Sequence, residues 1–214
     1  MKKHVIRALI AGTAAGTALM LGAGTALAAT LTVTVSGSTS TGAVSAASGT
    51  TTLKDTRNGA ILTCTSSSAK GIVKNQKTTG AAPVKVGTIT SSTFTSCTGP
   101  AGLKFTVKQN GTWNLAITGT TSSGGVTSGG VTGASATLTG TACTATVTGS
   151  AQGTYTNGSG TKKPVLAFSP TSPNPNGFAL KIASASCLGI LAAGDTVQYT
   201  GTYTVSQPVK VISI

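Results

Sequence analysis

Apolar and polar residues alternate with period two over much of this chain. Leu31-Thr-Val-Thr-Val35, Lys104-Phe-Thr-Val-Lys108, Trp113-Asn-Leu-Ala-Ile117 and Tyr199-Thr-Gly-Thr-Tyr203-Thr-Val205 each send alternate side chains to opposite faces. That spacing is the pattern of a half-buried strand. No segment beyond residue 28 carries a helical period. Asn58-Gly59 and Asn110-Gly111 lie between such runs, and both dipeptides suit type I′ hairpin turns. The Gly/Ser-rich stretch Thr121 to Gly130 and the Pro-rich stretch Pro170 to Gly177 read as loops. The expected fold class is therefore all-β: an antiparallel sandwich or barrel of about ten to twelve strands.

The alternating runs also repeat. Cys97-Thr-Gly is followed after eleven residues by Gly111-Thr112-Trp113, and Cys187-Leu-Gly after eleven residues by Gly201-Thr202-Tyr203. Upstream, Cys64-Thr65 precedes S-A-K-G (Ser68 to Gly71), and Cys143-Thr144 precedes S-A-Q-G (Ser150 to Gly153). These offsets suggest two pseudo-repeated halves, about residues 50–120 and 130–206. A duplicated unit that cannot bury its apolar face alone is expected to share one core with its copy.

The N-terminus changes the picture in one respect. Lys2, Lys3, His4 and Arg7 head an apolar run, Ala8 to Ala23, and Ala26-Leu27-Ala28 is a small-residue cleavage site. Residues 1–28 thus read as a secretory signal peptide and residues 29–214 as a single secreted β domain. The domain holds no further apolar stretch long enough to span a bilayer as a helix. Four cysteines remain in it: Cys64, Cys97, Cys143 and Cys187. An even count in an exported chain implies two disulfides. The halves favour Cys64–Cys97 and Cys143–Cys187, with a symmetric cross-pairing as the rival. No C-x-x-C pair or histidine accompanies them, so neither metal nor cofactor is expected.

Composition narrows the chemistry. Beyond residue 28 there is no His, no Glu, and only Asp55 and Asp195. Proton shuttles and paired carboxylates are the usual equipment of hydrolytic catalysis, so the protein is expected not to be an enzyme. Ser67-Ser68-Ala69-Lys70 fits the S-x-x-K pattern, in which a serine attacks and a lysine assists. Here it lies in a strand-like stretch rather than at a helix start, and a Ser/Lys hydrolase is a remote alternative. Asp55 and Asp195 could form the carboxylate pair of a glycosidase, but local turn hydrogen bonding accounts for both.

Twelve Lys and Arg face those two acids. Lys70, Lys74, Lys77 and Lys85 form a mild cluster. The positive field suits anionic cell-wall polymers or a lipid surface. Specific nucleic-acid readout is not expected, since aromatics and Arg are both scarce. The second functional reading is a β-sandwich module binding a glycan or a small apolar ligand, with Trp113 and Tyr203 as candidate contacts. Their matched offsets in the two halves suit a shared core position better than an exposed sugar platform.

Three segments carry a family resemblance: I-T-S-S-T-F-T-S-C-T-G (Ile89 to Gly99), G-T-W-N-L (Gly111 to Leu115) and S-C-L-G…G-D-T…G-T-Y-T-V-S (Ser186 to Ser206). With the Ala-rich leader they resemble small secreted actinobacterial β-rich proteins of unknown function. The resemblance implies an extracellular or cell-wall location and brings no substrate or catalytic residue. The chain also looks superficially like the small β-sandwiches of the enediyne chromoproteins. Those are acidic and their disulfides close short loops, so no ligand is carried over.

Overall fold

The computed structural model describes residues 30–174 and 176–214; the proposed signal peptide lies outside them. Fourteen strands and one 3-10 turn (Pro100–Gly102) make up the regular structure among these residues. The period-two runs all become strands: β1 (Thr30–Ser36), β7 (Lys104–Gln109), β8 (Trp113–Thr121) and β13 (Thr196–Val205). The others are β2 (Ala43–Ser48), β3 (Thr51–Asp55), β4 (Ile61–Ile72), β5 (Gln76–Ala81), β6 (Val84–Thr98), β9 (Val126–Gly140), β10 (Cys143–Thr156), β11 (Val165–Phe168), β12 (Leu180–Ser186) and β14 (Lys210–Ser213).

Every strand pairing is antiparallel, and eleven of the strands close on themselves. Five long strands, β4, β6, β9, β10 and β13, run the height of a barrel. Three of the gaps between them are filled by pairs of short strands placed end to end. β7 and β8 both lie between β6 and β9. β12 and β11 lie between β10 and β13, and β3 and β2 between β13 and β4. The β9–β10 ladder closes the ring.

The two ends are sealed differently. At one end the disulfides Cys64–Cys97 and Cys143–Cys187 clasp β4 to β6 and β10 to the residue after β12. Cys64 and Cys97 are direct register partners. At the other end β14, β1 and β5 form a separate three-stranded sheet. Its Leu31, Val33 and Val35 pack on Val84, Val86 and Ile117. Asn157 at the end of β10 exchanges hydrogen bonds with the backbone of Val211, and Ser213 N donates to Thr121 Oγ1.

Strands from both halves of the sequence share this one closed sheet, and all four cysteines belong to one apolar cluster. The pseudo-repeat is not confirmed by the lengths of the strands, although each half supplies four successive ring positions. After Cys97 the chain forms two short strands, β7 and β8, whereas after Cys187 it forms the single long β13.

Three local expectations need correction. Gly59 and Gly111 do adopt positive φ, but the Asn before each does not. The turns are therefore longer loops with one left-handed glycine, not type I′ hairpins. Second, strand count exceeds the expected range because three barrel positions are split. Third, the stretch Thr121 to Gly130 is mostly strand, with only residues 122–125 outside β8 and β9. Gly129 and Gly130 are close-approach positions rather than loop residues. A Cβ on Gly129 would stand 2.4 Å from the Ala116 carbonyl oxygen, and one on Gly130 2.1 Å from that of Ala151. Glycine inside a strand serves such backbone approaches, which let a sheet coil and close.

Candidate functional site

A barrel that alternates inward and outward residues must fill its interior or leave a lumen. This one leaves a lumen. A cavity runs inside the barrel, and about 190 Å³ of it is open to the centres of water-sized spheres. A water molecule needs roughly 10–15 Å³ on that measure. The wall is apolar and drawn from every barrel position, including Leu53, Phe94, Leu115, Leu166 and Phe168. Phe94, Leu115 and Leu166 point inward yet remain only half-buried, because part of each faces the lumen.

Tyr199 and Tyr203 stand on the same face of β13, with Gly201 between them. Phe168 meets both rings edge-on at 5.5 and 5.9 Å, and Phe94 meets Tyr199 at 6.5 Å. This aromatic wall fixes the phenols. Ser67 Oγ donates to Tyr203 OH at 2.6 Å, and the two phenolic oxygens are 2.5 Å apart. Thr51 Oγ1 borders this group but makes no hydrogen bond, and Ser92 Oγ on the cavity wall also lacks a partner.

Burial pushes the Tyr199 hydroxyl above the ordinary phenol range, and the neighbouring Tyr203 adds to it. Burial likewise raises Tyr203, against the hydrogen bonds from Ser67 and Tyr199. Tyr155, whose hydroxyl donates to the Val209 carbonyl at 2.6 Å, is raised by burial alone. All three stay protonated when folded at pH values where an unfolded tyrosine ionises, near pH 10. Their contribution is therefore complete below about pH 10 and falls as pH rises beyond it. Urea midpoints from neutral to strongly alkaline pH are expected to drop steeply above that point. Tyr199→Phe/Tyr203→Phe should shallow the drop, and an unchanged slope would contradict the assignment.

The sequence candidates fall in three places. Trp113 and Tyr203 both line the lumen. Trp113 also donates its indole N–H to the Ser135 carbonyl at 3.0 Å. The pair is thus inside the barrel, not on an outer platform. Lys70, Lys74, Lys77 and Lys85 are all solvent-exposed, on β4, the β4–β5 turn, β5 and β6. They lie toward the end covered by the three-stranded sheet. The other seven lysines of the described residues are exposed as well. The S-x-x-K pair is not assembled: Ser67 is buried facing Tyr203, while Lys70, three residues on along the same strand, faces solvent.

Asp55 and Asp195 accept the turn hydrogen bonds expected of them, from Arg57 N and Ala192 N respectively, each at 2.7 Å. They also converge. Arg57 Nε donates to Asp195 Oδ1 at 2.7 Å, tying the β3–β4 turn to the loop after Cys187. The Arg57 hydrogen bond holds the Asp195 carboxyl below the usual carboxylate range against burial, helped by Ala192 N–H and Asp55. Both acids are buried at the disulfide end. Among the described residues no group of His, Cys, Asp and Glu is arranged to hold a metal ion.

Sequence reasoning missed Tyr199, Ser67, Thr51 and Ser92 as a set. One signal was present: tyrosines four apart on a strand, with glycine midway, face the same side.

No protein-family model matches the chain, and searches of curated proteins and of solved structures return no match.

Proposed function

We propose that this protein is a secreted, non-enzymatic carrier that holds a small apolar ligand in the barrel lumen. The roomy apolar cavity carries the reading. A cavity of this kind is the usual site of small-molecule binding, and eight-position barrels are just wide enough for one ligand. The wall offers too few polar partners for a glycan. The two disulfides suit an oxidising compartment outside the cell.

The outer surface supports a second role. Its lysines are exposed, while both acids are buried and one is ion-paired. The outward field is therefore almost uniformly positive, which favours anionic envelope polymers or lipid surfaces as the place where the carrier resides. The outward faces carry Thr, Ser and Lys, whereas a membrane-spanning barrel needs an apolar outer band.

A neutral naphthylamine dye tests the lumen reading. It should bind and accept excitation from Trp113, the chain's one tryptophan. Ala134→Phe, which puts a ring into the cavity, should weaken the dye by about tenfold or more while the fold is kept. Dye binding without transfer from Trp113, or unaffected by Ala134→Phe, would count against it.

A further inference from the structure

The hydroxyl group chain on the lumen wall does not close its own hydrogen bonds. Ser67, Tyr203 and Tyr199 supply three O–H donors and are joined by two hydrogen bonds. Ser67 donates to Tyr203. If Tyr203 then donates to Tyr199, the Tyr199 proton is left over; if Tyr199 donates to Tyr203, the Tyr203 proton is left over. Neither phenol makes a further hydrogen bond. One phenolic donor is thus unspent in either arrangement. Extending the chain to the Thr51 hydroxyl would only move the spare proton one group along. Thr51 is 1% exposed and Ser92 Oγ is fully shielded, and neither hydroxyl has a partner.

Buried donors without acceptors are costly, and native structures rarely keep them. The surrounding wall is apolar, so the missing acceptor is not supplied by the protein. Among the described residues no charged side chain faces the cluster. Lys70 borders the lumen but is exposed between the inward residues Ala69 and Gly71. An anionic head would enter this site without a counter-charge, at a heavy desolvation cost. A cationic head would meet the same cost.

We infer that the lumen ligand is an apolar molecule bearing one neutral oxygen acceptor, a carbonyl or hydroxyl, seated against the spare donor of the Ser67–Tyr203–Tyr199 chain. This rests on the carrier reading above and specifies its ligand class. The aromatic wall of Phe94 and Phe168 accepts the apolar body, and the hydroxyl chain orients its one polar atom.

The bookkeeping makes a further claim about substitutions. Removing either phenol alone leaves a spare donor on the other. Tyr199→Phe frees the Tyr203 proton, and Tyr203→Phe frees those of Tyr199 and Ser67. Only Ser67→Ala/Tyr199→Phe/Tyr203→Phe removes all three donors, because the Ser67 hydroxyl loses its acceptor when the Tyr203 phenol goes.

Three probes of similar size decide the matter: indane, indanone and indane carboxylate. Affinities are read by calorimetry and by Trp113 emission, using the purified secreted protein at neutral pH. Indanone is expected to bind about tenfold tighter than indane, a difference near 1.4 kcal/mol. Indane carboxylate should bind weakest. Each single Tyr→Phe variant should keep most of the ketone preference, and Ser67→Ala/Tyr199→Phe/Tyr203→Phe should abolish it. Equal affinity for indane and indanone in the unsubstituted protein overturns the inference while leaving the carrier reading standing. Tightest binding by the carboxylate overturns it as well. Failure of all three probes to bind overturns both. If the triple variant does not fold, the ketone-to-alkane ratio of the unsubstituted protein decides the inference.

Discussion

Replacing all four cysteines by alanine is expected to remove roughly 7–8 kcal/mol of stability and leave little folded barrel at physiological temperature. The disulfides close spans of 33 and 44 residues. In the loop-entropy argument each contributes roughly 3.5–4 kcal/mol by restricting the unfolded chain. Whole domains are stable by only about 5–15 kcal/mol. Each pair removed singly should lower the melting temperature by about 10 °C, and both together should bring the transition near or below body temperature. Thermal melts with and without reductant, alongside the two paired Cys→Ala variants, measure this. A four-alanine protein that melts within a few degrees of the parent would show that the barrel wall alone fixes the fold.

The second large effect is expected at the closing ladder. Gly130→Val places a Cβ 2.1 Å from the Ala151 carbonyl oxygen. The obstacle is backbone on the neighbouring strand, so no rotamer change relieves it. Gly130 pairs with Gln152 on β10 and Ala116 on β8, so a shift there disturbs both neighbours of β9. Overpacking in a core costs about 1–3 kcal/mol where side chains can adjust. Here we expect more than about 4 kcal/mol, with loss of near-ultraviolet dichroism and of soluble yield. A control substitution at Gly80, whose added Cβ meets nothing within 4 Å, should leave the urea midpoint nearly unchanged. Comparable losses at both positions would show that the close approach at Gly130 is not the cause.

These two positions also mark where the sequence was legible. The strands of Leu31–Val35 and Tyr199–Val205 could be read because a half-buried strand imposes period two on its own residues. The disulfide pairing could be read because matching segments surround both pairs. Closure could not be read. Gly129 and Gly130 have the composition of a loop, and their role depends on Ala116 and Ala151, which are distant in the chain. The Arg57–Asp195 pair was hidden for the same reason, since it joins turns 138 residues apart. The lumen was the least visible feature. Leu115 and Leu166 alternate as core residues do, and a wall facing a cavity has the same pattern as one facing a packed interior. Only the size of the ring, fixed by how many strands pair, separates the two.

Covalent closure at one end only gives the barrel a mechanical polarity. At the disulfide end β4 cannot separate from β6, nor β10 from the chain that follows β12, whatever the backbone hydrogen bonds do. The opposite end is held by Leu31, Val33 and Val35 packing and by the hydrogen bonds of Tyr155, Asn157 and Thr121. All of those contacts are reversible, and local opening follows the weakest boundary. The molecule is a cup with a riveted base and a cover of three strands held by reversible contacts. For the carrier proposed above, that cover is the end at which a guest would enter, while the base keeps the strand register.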